Sequence, residues 1–225
     1  MSVDQLPLET KISITGTRLY EPIRNICLTL DAFTFASCAL HGQEVPEHIE
    51  RTGGHIIHGH LPISLMTTYG STFSTGLSGQ QEPPIWVILQ TREAAQALWE
   101  RTWRGGGHSG DFSRLKQFMN DGAAVQFVMY YENFYPWVKA QALHNVANLE
   151  PTWGFGRVVR NAIGHAGKVA INDRSFAPVE WGGLRYGRAE NGRVVIGNDM
   201  HASDLIILML DMDRALSAMG YAPPA

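Results

Sequence analysis

The sequence predicts a mainly α-helical protein with a small β-hairpin late in the chain and an irregular N-terminal elaboration. Three observations lead there. Apolar side chains recur at i, i+3, i+4 and i+7 through much of residues 111–150, and helical spacing returns at 153–165 and 204–219. Asn191-Gly192 separates two short extended stretches, and Asn-Gly is the strongest short-range hairpin signal. Residues 41–84, rich in Gly, Ser, Thr, His and Pro, show no sustained period. At 225 residues the chain reads as a single domain, with 1–110 as a helix plus elaboration and 111–220 as the helical core.

Each element has its own reason. Ile23, Ile26, Cys27, Leu30, Phe33 and Cys38 follow one another at helical steps and predict a helix over 23–40. The excursion 41–84 has room for short strands or turns. Pro84 to Leu89 is a short apolar run suited to a buried strand, after which Thr91 is placed to cap a helix reaching Trp103. Gly105-Gly106-Gly107 breaks it. In the long helical stretch beyond Asp111, Gly122 reads as a soft break and Pro136 as a kink. Pro151-Thr152 opens the helix 153–165, which Gly164 and Gly167 close. Extended segments around 179–186 and 193–197 follow. Ser203 caps the last helix, which stops at Gly220.

Composition removes several functional classes. With 44% hydrophobic and 17% charged residues and a net charge of -3, the chain is ordinary globular material rather than a disordered one. A pI near 6.3 gives no overall positive field for nucleic acid, so contact with phosphate must come from a local patch. The N-terminus carries Asp4 and Glu9 and no apolar signal-peptide core, and Leu205 to Leu210 is far too short to span a bilayer. A cytoplasmic protein without a membrane partner is expected. Cys27 and Cys38, on one helix, sit about 16 Å apart at ~1.5 Å rise per residue, so reduced thiols are expected.

Arg160-Asn161-Ala162-Ile163-Gly164-His165 joins a permanently charged fork, a polar amide and an imidazole within six residues at the end of a helix. Arg with His five to seven places on also occurs at Arg51/His58 and Arg101/His108, both in Gly-rich connectors. The third instance differs in its Asn161, its helical setting and the hairpin and apolar helix that follow. These residues resemble the Arg-x4–6-His signature of the HEPN superfamily, over roughly residues 111–220. The resemblance implies a HEPN-like helical bundle and a ribonuclease that leaves a 2′,3′-cyclic phosphate. It implies His165 as the proton-transfer residue, Arg160 as the phosphate clamp and Asn161 as the orienting group. A defence or toxin setting and an unidentified regulatory protein partner belong to the same expectation.

The chemistry stands without the family name. Cleaving RNA without a metal takes a base for the 2′-hydroxyl, an acid for the leaving oxygen, and cations for the charge on phosphorus. Imidazole fills either proton role and guanidinium donates bidentately to phosphate. One imidazole is short of two roles, so a homodimer pairing two copies of the motif is expected, with no metal or other cofactor. On an unbroken helix five residues advance about 500°, which sets Arg160 and His165 some 140° apart while Asn161 and His165 share a face. Gly164 is the place where distortion would close that gap.

From 157 to 193 seven cations, Arg157, Arg160, Lys168, Arg174, Arg185, Arg188 and Arg193, stand against Asp173, Glu180 and Glu190. Arg157, Lys168, Arg185, Arg188 and Arg193 are therefore candidate RNA contacts, with Trp181 and Tyr186 as candidate base-stacking rings. A bland alternative remains for the motif: an Arg paired to a carboxylate and a His at helix-terminal carbonyls is good helix-stop design. The leading functional alternative is a non-catalytic HEPN module for RNA binding or scaffolding. Third comes a metal-dependent hydrolase built on His55, His58 and His60, a run with neither Cys nor acid inside it.

Overall fold

The computed structural model describes residues 9–40, 55–57, 63–68, 85–91 and 113–222. It is mainly helical. The chain divides into two compact units, Met1–Gly122 and Ala123–Ala225.

The first unit holds strand β1 (Glu9–Ser13), helix α1 (Tyr20–Leu40) and strands β2 (His55–Ile57), β3 (Ile63–Thr68) and β4 (Trp86–Thr91). The strands form an antiparallel sheet of order β1-β4-β3-β2. β4 lies between β1 and β3, pairing Ile12 with Val87 on one side and Leu65 with Leu89 on the other. Its Val87, Ile88 and Leu89 are buried, the continuous apolar run of a strand covered on both faces. Thr91 is the last residue of that strand, opposite Ile63. The expected helix 91–103 beyond it, and the break at 105–107, lie outside the described residues. Helix α1 buries Ile23, Ile26 and Cys27, as its spacing requires.

Helix α2 (Ser113–Gln141) runs unbroken through both Gly122 and Pro136. Pro136 is exposed, so water can serve the carbonyl that a missing proline N–H leaves open. The second unit contains the rest of α2, then helix α3 (Pro151–Gly164), strands β5 (Val179–Trp181) and β6 (Leu184–Tyr186), and helix α4 (Ala202–Ala218). Pro151 occupies the first turn of α3, and Glu150 caps it by accepting from the Trp153 N–H at 3.1 Å.

Ala202 to Leu210 of α4 is buried without interruption, and within it Leu205 to Leu210 is apolar all round, as burial on every side requires. Against it, Trp153 donates its indole N–H to the Met212 carbonyl at 3.1 Å and packs with Tyr130 and Tyr131. Gly156 permits the approach of α3 to α4, because a Cβ there would lie 2.9 Å from the Met212 sulfur.

Two expected signals resolve differently. The hairpin turn is Gly182-Gly183, both in the left-handed region at φ 56° and 76°, as a tight primed turn demands. Asn191 instead uses its side chain like a strand, accepting from the Ile171 N–H at 2.8 Å and donating to the Ile171 carbonyl at 2.9 Å. The cap of α4 is His201, whose N–H donates to Asp204 at 2.8 Å, while Ser203 is buried within the helix. The stop at Gly220 is as expected, with φ 84° and the Tyr221 N–H reaching back to the Leu216 carbonyl.

Candidate functional site

Helix α3 is amphipathic because Trp153, Phe155, Gly156, Val158, Val159 and Ala162 take the inward face. That leaves Arg157, Arg160, Asn161 and Gly164 on an outward stripe at three- and four-residue steps. Arg160 donates from Nε to a carboxylate oxygen of Glu132 on α2, and from Nη1 to Asn161 Oδ1 at 3.5 Å. Both members of the ion pair are substantially exposed, with side chains 41% and 46% accessible. Glu132 lies 28 residues upstream. No local pattern in the sequence points to it.

His165 is exposed and closes the helix, its N–H donating to the Ala162 carbonyl at 2.9 Å. Gly167 donates to the same carbonyl at 2.8 Å, and the chain leaves through Ala166 and Gly167 at φ 55° and 76°. The helix remains regular through Gly164, whose Cβ position is open space. No distortion there swings the imidazole toward Arg160. One copy of the chain thus brings Arg160, Asn161 and Glu132 together, with His165 one turn beyond Asn161 and bonded to none of them among the described residues.

The candidate RNA contacts separate into two groups. Arg157 is half-buried on the outward stripe, and Lys168 and Arg188 are exposed. None of these three has a carboxylate within ion-pair distance among the described residues. Asp173 lies in the field of both Arg157 and Arg188. Its carboxyl is held below the usual range mainly by the Ser175 hydroxyl and N–H, with smaller contributions from those two arginines.

The other group already has partners within the protein. Arg185 pairs across the hairpin with Glu180 at 3.2 Å. Arg193 grips buried Asp199 at 2.6 Å and lies 5.9 Å over the Tyr186 ring. Tyr186 is fully buried, donates to Asp199 at 3.1 Å and stacks on Phe155, so no base can stack on it. Trp181 is half-buried against Phe155, its indole N–H donating to Asp211 at 3.0 Å. Tyr186 is core and Trp181 leans on it through Phe155, because a two-stranded ribbon is held in place by burying one face.

His55 belongs to β2, while His58 and His60 lie outside the described residues. Among the described residues no group of three His, Cys, Asp or Glu is placed to hold a metal ion, and no helix is long and apolar enough to cross a membrane. No family model matches the chain, and neither the curated proteins nor the solved structures compared with it gave a match.

Proposed function

We propose that the protein is a cytoplasmic, metal-independent endoribonuclease of the HEPN type, working as a homodimer. The observation that carries this reading is an exposed imidazole, His165, one helical turn from a solvent-accessible Arg160-Asn161 step. In the reaction, His165 of one copy takes the proton of the ribose 2′-hydroxyl as that oxygen bonds to phosphorus. His165 of the second copy gives a proton to the 5′-oxygen as its bond to phosphorus breaks. The products are a 2′,3′-cyclic phosphate and a free 5′-hydroxyl. Arg160 holds the phosphate and Asn161 orients it. Glu132 occupies Arg160 in the free protein, and an exposed pair of this kind is worth only about 0.2–1 kcal/mol, so phosphate can displace it.

The same ion pair favours a second reading. An arginine already neutralised by Glu132 suits a non-catalytic RNA-binding module as well as a resting enzyme. Purified protein with RNA in EDTA separates the two. The nuclease cleaves, and His165→Ala abolishes cleavage while circular dichroism stays unchanged. The binding module retains RNA without cutting it, and cleavage that survives His165→Ala removes the catalytic assignment.

A further inference from the structure

Tyr186 is held in the core, and half-buried Trp181 is engaged with Phe155 and Asp211, which leaves room for another aromatic contribution to an RNA surface. Another aromatic stands beside the Arg160–Glu132 pair. Tyr135 follows Glu132 by three residues on α2, so the two share a side of that helix. It is half-buried, and its ring stacks on buried Tyr131 at 4.8 Å with an interplanar angle of 23°. Tyr131 in turn packs on Trp153 of α3, which fixes the floor beneath Tyr135.

Arg157 lies one turn before Arg160 on α3. It is on the outward stripe and has no carboxylate within ion-pair distance among the described residues. The Tyr131 phenol lies in the field of Arg157 and Glu132 as well as beside Tyr135, as expected where the turn of α3 before Arg160 faces the turn of α2 after Glu132. Burial is the largest influence on that phenol, followed by Tyr135 and then Arg157.

We propose that Tyr135 and Arg157 form a nucleotide subsite next to the Arg160-Asn161 step, the base stacking on the Tyr135 ring and the adjoining phosphate meeting Arg157. The inference rests on the RNA reading given above. Every base has a π-face, so this subsite takes a nucleotide of any sequence and adds affinity rather than base identity. A phenol already stacked on Tyr131 is pre-organised, and little side-chain freedom remains to be lost on binding.

The test uses the full-length chain and two 2′-fluoro RNA oligonucleotides of equal length, which cannot be cleaved by 2′-hydroxyl attack. One carries all its bases and the other is abasic in its central nucleotides. Tyr135→Leu, which keeps apolar bulk without a flat ring, is expected to weaken binding of the complete oligonucleotide about tenfold, within the range of one base–aromatic stack. Tyr135→Phe is expected to bind like the parent. Neither change should alter binding of the abasic strand by more than about twofold. Arg157→Gln is expected to weaken both strands alike. If the parent binds the complete oligonucleotide and Tyr135→Leu binds it equally well, the subsite is wrong while the RNA reading stands. If the parent binds neither strand, the RNA reading itself fails and takes the subsite with it.

Discussion

Arg160 and Glu132 form an ion pair between α3 and α2, and both side chains are open to solvent. This pair joins the motif read from the sequence to a residue that the motif does not contain. Its exposure sets its energetic scale, because solvated ion pairs gain little Coulomb energy and lose side-chain freedom.

Removing the carboxylate therefore separates stability from binding. Glu132→Gln is expected to change unfolding free energy by no more than about 1 kcal/mol, measured by urea titration. RNA affinity is expected to rise about two- to fivefold, since phosphate no longer competes with Glu132 for the Arg160 guanidinium. Unchanged or weaker RNA binding would show that Glu132 supports Arg160 rather than blocking it.

The end of α3 offers a second separation. Ala166 sits at φ 55° without being a glycine, a conformation that costs an L-residue about 1–2 kcal/mol. Ala166→Gly is expected to recover about 1 kcal/mol of this, less the added freedom of the unfolded chain. Gly164 is the opposite case, helical and with open space at its Cβ. Gly164→Ala is expected to raise stability by about 0.5–1 kcal/mol through helix propensity alone. If RNA approaches the helix closely at this point, cleavage falls in Gly164→Ala while the thermal midpoint rises. A parallel gain in both would remove Gly164 from the site.

What could be read in advance depended on whether the deciding contact was local. The buried run from Leu205 to Leu210 and the strand around Val87 announce themselves by composition, since each is covered by protein whatever its neighbours are. β1 has only five residues and becomes a strand by pairing with β4, some seventy-five residues away, so its own sequence carries little signal. Asn191-Gly192 has the chemistry of a hairpin turn, yet the Asn191 side chain is spent on the Ile171 backbone, and Gly182-Gly183, on the other side of β6, makes the turn. The motif 160–165 was legible as residues. Glu132 was not, because only the packing of α2 with α3 brings it to Arg160.

Packing between α3 and α4 gives a prediction free of any function. Gly156→Ala would set a methyl 2.9 Å from the Met212 sulfur and 3.1 Å from its terminal methyl. The far end of a methionine can swing aside, but Met212 is fully buried and has little room to do so. A loss of about 1–2 kcal/mol is expected in urea titration. The double variant Gly156→Ala with Met212→Leu removes the crowding atom and should recover part of it. Equal losses in the single and double variants would place the cause in the α3 backbone instead.

Two buried phenols make stability fall in alkaline solution. Tyr131 and Tyr186 are both pushed well above the ordinary tyrosine value, chiefly by burial. The Tyr135 phenol adds to this at Tyr131, and the Asp199 charge and hydrogen bond add to it at Tyr186. In the unfolded chain both ionise near pH 10, whereas in the folded protein both keep their protons. Above pH 10 the native state therefore binds more protons than the unfolded state. Unfolding free energy must then drop as pH rises, by about 2.7 kcal/mol per pH unit when both groups contribute. Below about pH 9 the two phenols contribute no slope, because both states are protonated. Urea titrations from pH 8 to 11.5 on the parent, Tyr131→Phe and Tyr186→Phe measure this directly, each replacement removing about half the alkaline slope. Tyr186→Phe also loses the donor to Asp199 and should cost about 1.5–3 kcal/mol at pH 8, where Tyr131→Phe loses less. A profile that stays flat through pH 11.5 would mean that water reaches both hydroxyls, and the aromatic cluster around Trp153 and Phe155 would then be looser than its ring contacts require.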